Sequence, residues 1–386
     1  MNTGARSALA VVLGLCPHGL ATARALADAG IEVHALEPNS DLPGFYTRRA
    51  KVHKVASIHP PGLIDVLVSF AEERGGDDKI ALFPINDTMV ADIARNWSRL
   101  SDRYALSWSA SLDDVSRLLL KENLEPHTVS RSLNYPKSRL LESAVVSDAF
   151  VVDLRFPLLA KPSKPLGSFK TRKVADLDAL KAIVRDFEGD LPLLVQEWIE
   201  GGDTDLYFCA LFLVDGEDVG HFVGRKLRSQ PPAQGQTTSA APFESEAIYE
   251  VTKTFFSGTA ISGPVSLEVK RDPDGMYWII EPTVGRTDFW LDLCVQNGFD
   301  LPLMNYDFVT DKPVAGASAG GRAVNWFDTD RDSWSFLSLI SSRQVSPFAG
   351  RRFTFFDRHD LAPWWFAVRQ QLFRRLNRVR GRREVG

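Results

Sequence analysis

Cysteine is scarce in this 386-residue chain: Cys16, Cys209 and Cys294 lie far apart and lack the close spacing of zinc ligands. That excludes a disulfide framework and a structural zinc site, and a reducing cytoplasm is the expected setting. No apolar run reaches membrane-spanning length. A complete G-x-G-x-x-G is also missing, since "GLCPHG" offers only Gly14 and Gly19. The loop therefore reads as tight strand-to-helix packing rather than a dinucleotide site. The seven histidines are scattered, and His18, His34, His53 and His59 in the first block read as structural. Internal repeats and low-complexity segments are lacking. Arg6 followed by "ALAVVLGLC" imitates a secretory signal, but Leu15 before Cys16 is not the small residue a lipoprotein cleavage site needs.

What is present is ordinary for a folded protein, with 44% hydrophobic and 24% charged residues. The length allows two or three domains with substantial cores. Residues 8–38 read strand, loop, helix and strand, a βαβ opening with parallel-sheet character. "IALFPIND" is a buried strand ending in Asn86 and Asp87, at the edge where open α/β sheets place ligands. Beyond residue 118 the strand signals crowd together: "FPLLAKPS", "LPLLVQEWI", "LYFCALFLV", "HFVGRKL", "PVSLEVKR" and "YWII". An α/β block followed by α+β domains is expected.

Two of these runs carry chemistry. "PVSLEVKR" and "MYWIIE" flank "DPDG", a turn signal that predicts an antiparallel hairpin. With Asp272 to Gly275 as the loop, Val269 faces Trp278 and Leu267 faces Ile280. Glu268 then opposes Ile279 and lies diagonally from Glu281, on the order of 7 Å away. Two carboxylates so placed suit Mg²⁺, which takes one or two carboxylates plus substrate phosphates. The alternative is a pair of solvated glutamates, and a one-residue change of loop length would send them to opposite faces.

Cations gather upstream. Lys161 ends "FPLLAKP" and Lys121 follows "VSRLLLKENL"; either alone is an ordinary solvated end. "KPSKPLGSFKTRKV" has the glycine, serines and lysines of a loop that closes over phosphates. In "LLVQEWIEGGDTD" a buried strand leaves the core through Gln196, Glu197 and Ile199 and meets Asp205. Such an edge can meet an adenine ring through its backbone while an acid takes a ribose hydroxyl.

In this order the motifs resemble the ATP-grasp superfamily over roughly residues 8–300. "GRKLRSQPPAQGQTTSA" is similar to the carboxylate-amine ligases of the D-aspartate ligase type. The resemblance implies a Rossmann-like pre-ATP-grasp domain at 1–118, a small lobe at 119–195, a large lobe at 196–310 and a C-terminal extension at 311–386. It implies that Lys121, Lys161 and Arg225 contact the nucleotide phosphates, with Gly167 and Ser168 in the covering loop. Gln196, Glu197 and Ile199 would edge the adenine, and Asp205 the ribose. Lys226, Arg228 and Arg286 would be catalytic, facing phosphate and acyl substrate, and Glu268, Glu281 and Thr283 would hold Mg²⁺, as two ions with Mn²⁺ an acceptable substitute. The implied reaction activates a carboxylate with ATP as an acyl phosphate, which an amine displaces; an amino acid or a cell-envelope glycan precursor is the expected substrate.

One departure is Thr283, where the superfamily usually has asparagine two residues after the second glutamate. It keeps open a non-catalytic nucleotide-binding protein, and a kinase-like enzyme with another acceptor is the third reading. A homodimer is the expected assembly. From Arg351 onward ten arginines meet three acidic residues. Trp365, Val368, Leu372 and Leu376 recur at helical spacing, so this tail reads either as a basic helix on the anionic inner membrane face or as a helix docked on the body. With the positive charge confined to the tail, nucleic acid is not an expected partner.

Overall fold

The computed structural model describes residues 8–76, 78–163, 168–169, 171–232, 235–314 and 323–383, with side chains as far as Phe373. Gly167 and the side chain of Leu376 lie outside the described residues. The chain divides into two compact units, one of Met1–Ser109, Thr238–Pro242 and Gly285–Gly386, the other of Ala110–Thr237 and Phe243–Val284. Most of the segments 119–195 and 196–310 thus share a unit, while 311–386 returns to the unit that holds the N-terminus.

The first unit is built on the predicted parallel sheet. Its strands run Lys51–Lys54, Val33–Glu37, Ala10–Leu13, Ile80–Phe83 and Tyr104–Ala105 in spatial order, all parallel. Ala10–Leu13 is buried throughout, as a strand covered on both faces must be. The strand order reverses between Ala10–Leu13 and Ile80–Phe83. Gly19 lets the helix Pro17–Asp28 press on the strand end, since a Cβ there would stand 2.1 Å from the Gly14 carbonyl oxygen. The packing expected of "GLCPHG" is what this contact provides.

The tail forms the helix Ala362–Arg383 and docks within the first unit, but not by the expected stripe. Ala367 joins Leu20 and Phe355 in a small apolar cluster with Trp364 against it, and Phe366 stacks on Tyr46 at 4.1 Å. Trp365, Leu372 and Phe373 are exposed. No described helix is long and apolar enough to cross a membrane.

The second unit contains two antiparallel arrays. In one, Leu206–Val214 lies between Gly263–Arg271 and Glu217–Gln230, with Tyr277–Val284 beyond Gly263–Arg271. In the other, the order is Ser138–Leu141, Leu193–Glu197, Leu158–Pro162 and Arg172–Val174. Leu158, Ala160, Val174, Leu193 and Val195 pack with Leu180 and Val184 of the helix Leu177–Asp186. Because side chains alternate along a strand, that apolar face leaves Leu159, Lys161, Leu194 and Gln196 on the other.

The hairpin differs from its predicted register. Asp272 accepts the Met276 N–H on its carboxylate at 2.8 Å, and its own N–H donates to the Met276 carbonyl at 3.0 Å, so Met276 belongs to the turn. Val269 therefore faces Ile279, not Trp278, and Leu267 faces Pro282, not Ile280. A bulge at the Glu268/Val269 step adds a second shift, which brings Glu268 directly opposite Glu281 instead of diagonal to it.

Candidate active site

A cavity of about 220 Å³ opens in the second unit, and the strand ends and hairpin just described form its walls. Lys121, Lys161, Lys226 and Lys270 line it together with Glu197, Glu268 and Glu281. Four ammonium groups and a carboxylate pair converge on one volume from five separate stretches of chain.

Strand alternation explains most of this convergence. Glu268 and Lys270 are two apart on Gly263–Arg271 and point the same way, across from Phe208 and Leu206. Gly224 stands opposite Phe208, and a Cβ there would meet the Phe208 ring at 2.1 Å, so the bare backbone makes room for the ring on this face. Two residues on from Gly224, Lys226 also points to the cavity. Arg225 is turned to the opposite face, where it donates to the Thr204 carbonyl at 2.7 Å and lies 5.5 Å from the Tyr207 ring centroid. Arg228 shares the alternation of Lys226 and is half-buried.

The lysines are deeply set: Lys161, Lys226 and Lys270 are 7%, 5% and 6% exposed. Lys226 Nζ lies 3.8 Å from Asp203, whose carboxylate is already engaged by the Ser229 hydroxyl at 2.6 Å and the Ser229 N–H at 2.9 Å. Lys270 donates to the Ile199 carbonyl at 2.8 Å. Burial holds the Lys270 ammonium below the usual lysine range; Asp205 and Glu200 pull the other way, while Lys226 and Lys173 add repulsion. Lys121 donates to the Pro162 carbonyl at 3.0 Å, beside Lys161 on the same strand end. Like charges gathered in a desolvated place favour an anion there.

Other expected residues take supporting positions. Gln196 lines the cavity and is fixed by a hydrogen bond to Ser138 Oγ at 2.9 Å. Glu197 accepts the Arg155 N–H at 3.0 Å, and Ile199 is on the wall. Asp205 accepts the Gly202 N–H at 2.8 Å and shapes the turn. Ser168 binds Asp190 through its N–H at 2.8 Å and its hydroxyl. Thr283 is buried opposite Ser266, two residues beyond Glu281, and is not among the residues lining the cavity. Arg286 belongs to the first unit, where its Nε donates to Asp87 at 2.6 Å. Asn86 there caps its helix, accepting the Met89 N–H at 2.9 Å.

Sequence reasoning missed Lys270 and Trp198. Lys173 and Lys270 lie 4.3 and 4.6 Å from the Trp198 ring centroid, both within cation–π reach. The signal for Lys270 was present, since it follows Glu268 by two on the same strand.

The donor set fits a hard divalent cation carried in with phosphates. Among the described residues no cluster of three or more histidines, cysteines or acids could hold a metal alone. Two facing carboxylates suffice for Mg²⁺ when phosphate oxygens and water complete its shell.

These features define the ATP-grasp fold, and the chain carries it. Solved structures similar to it include an N5-carboxyaminoimidazole synthetase from Staphylococcus aureus, at 11% identity and a TM-score of 0.67 over 90% of this chain and 88% of that one. Others are an L-amino acid ligase from Bacillus licheniformis (15%, TM-score 0.61, 79% and 75%) and a biotin carboxylase from Campylobacter jejuni (12%, TM-score 0.64, 80% and 72%). At such identities the likeness is one of fold. No protein-family model matches the chain, and no curated protein matches it in sequence.

Proposed function

We propose that the protein is an ATP- and Mg²⁺-dependent ligase that activates a carboxylate, that of an amino acid, as an acyl phosphate and couples it to an amine. The observation that carries this reading is the direct opposition of Glu268 and Glu281 in a cavity lined by four lysines. A carboxylate resists amines because oxide is a poor leaving group; phosphorylation replaces oxide with phosphate. Such chemistry asks the protein for position and charge neutralisation rather than for a nucleophilic side chain. Mg²⁺, held by Glu268 and Glu281, would supply Lewis acidity at the phosphates. Lys121 and Lys161 bind the nucleotide phosphates in this scheme, Lys226 and Lys270 neutralise charge developing at the transferred group, and the backbone at Glu197 and Ile199 edges the base. Thr283, two residues beyond Glu281 and on the same face of the strand, would add a hydroxyl beside the carboxylate pair. The similar structures support the reading: one was solved as an ADP complex and another is named an L-amino acid ligase.

The test is release of ADP and phosphate over a panel of amino acids and amines, with and without Mg²⁺. Release should require both an acid and an amine, and Glu281→Gln should lower its rate by about 10²–10³-fold. Equal nucleotide binding by both proteins with no turnover on any pair would favour a non-catalytic binding protein instead.

A further inference from the structure

Within the first unit, the loop after Ala10–Leu13 sets a cysteine against a histidine. Cys16 Sγ lies 3.3 Å from His18 Nδ1, and on the other side of the ring His18 Nε2 lies 2.7 Å from the Ile85 carbonyl oxygen. A carbonyl only accepts, so Nε2 carries a proton, and in the neutral ring Nδ1 is left to accept the Cys16 S–H. Moving that proton to Nδ1 breaks neither contact: the imidazolium still donates to Ile85 and now donates to the sulfur.

The surroundings favour the charged pair. Cys16 is the N-cap of the helix Pro17–Asp28, where the backbone dipoles stabilise an anion. Burial alone would raise the thiol and lower the imidazole. Their mutual charge and hydrogen bond outweigh it, helped by the amides of Gly19 and His18 at the sulfur and by the Ile85 carbonyl at the ring, so the thiol is held below its ordinary value and the imidazole above. Arg286 opposes the imidazolium charge and is itself paired with Asp87 at 2.6 Å. Phe289 meets the His18 ring edge-on at 5.8 Å, with Arg331 4.4 Å from the Phe289 centroid.

Location supplies an independent argument. The His18–Ile85 contact joins the start of the helix after Ala10–Leu13 to the loop after Ile80–Phe83, the neighbours between which the parallel strand order reverses. Open parallel sheets receive small molecules at that crevice. Cys16 is partly exposed there, whereas Cys209 and Cys294 are buried.

We propose that Cys16, paired with His18, is a nucleophilic thiolate that exchanges with low-molecular-weight disulfides. The thiolate attacks one sulfur of RS–SR; a new S–S bond forms at Cys16 as the old one breaks, and RS⁻ leaves and takes up a proton from the imidazolium or from water. With Cys209 and Cys294 buried, no second thiol resolves the product, so the mixed disulfide persists until an external thiol reverses it.

Glutathione disulfide is the probe. Full-length protein at pH 7 should gain one glutathionyl group, mapped to Cys16 by peptide mass and removed by dithiothreitol. Alkylation of Cys16 by iodoacetamide should follow a pH midpoint well below the ordinary thiol value of about 8.5. In His18→Asn the rate at pH 7 should fall about tenfold and the midpoint should rise towards that value. A wild-type midpoint at or above it, or no glutathionyl group on Cys16, overturns the proposal. So does an unchanged rate in a folded His18→Asn protein, and the wild-type profile decides even if that variant does not fold.

Discussion

The two units each bury a set of charges, and the sets are arranged in opposite ways. In the first, Arg24 Nε donates to Asp360 at 3.0 Å and its remaining donors reach the carbonyls of Thr354, Phe355 and Asp360. Asp360 also accepts the Thr47 hydroxyl at 2.6 Å and the Arg48 N–H at 2.9 Å. Opposite signs meet and the groups are satisfied inside the fold, tying the segment before the tail helix to the N-terminal sheet's first helix. In the second unit, Lys161, Lys226 and Lys270 bring the same sign together at a cavity wall. The contrast is between opposite charges paired within the fold and like charges gathered at a cavity wall.

Removing a partner breaks the first set outright. Asp360→Ala leaves Arg24 buried without its counter-charge and should cost about 3–5 kcal/mol, read as a lower urea midpoint; a loss under about 1 kcal/mol would mean that the pair is incidental.

Asp328 sharpens the comparison, because it is a buried acid of the same unit with poorer partners. Its Oδ1 accepts the N–H groups of Asp330 at 3.2 Å and Arg331 at 3.4 Å, while its Oδ2 has no hydrogen bond and lies 3.8 Å from Arg331 Nε. Burial pushes its carboxyl up from 3.8 to about 6. A raised folded value means that the penalty is absent below the unfolded value and complete above the folded one. The stability of Asp328→Asn relative to wild type should therefore improve between pH 4 and pH 8, by up to about 3 kcal/mol. Urea unfolding at both pH values measures it, and an identical difference at the two would remove Asp328 as the cause.

The smallest expected effect lies in the cleft. Lys226→Met removes a buried ammonium whose 3.8 Å partner Asp203 keeps both Ser229 hydrogen bonds, so the melting temperature should change little, yet calorimetry should find a non-hydrolysable ATP analogue bound about 10–100-fold more weakly in the presence of Mg²⁺, or roughly 1.4–2.8 kcal/mol. A destabilised variant with unchanged affinity would place Lys226 with Arg24 and Asp360, among the charges that hold the fold.

Much of this was legible in the sequence where periodicity governs. The strand "LYFCALFLV" is Leu206–Val214 residue for residue, and the βαβ opening is present as read. Positions set by local irregularity or by tertiary choice were not legible. The register at Glu281 depends on Met276 joining the turn and on a bulge, neither of which a period-2 pattern reveals. The tail helix offers apolar residues on more than one side, and contact with Leu20 and Phe355 chose Trp364 and Ala367 over Trp365 and Leu372. Alternation was legible and was not applied to Arg225 and Lys226, which are adjacent on a strand and so stand on opposite faces.

Trp198 turns the cleft into its own optical gauge. The indole lies 4.3 and 4.6 Å from two ammonium groups whose field an entering anion would change, and indole emission responds to nearby charge. Occupancy can thus be followed without a label, by comparing wild-type emission with that of a protein lacking this one of the nine tryptophans.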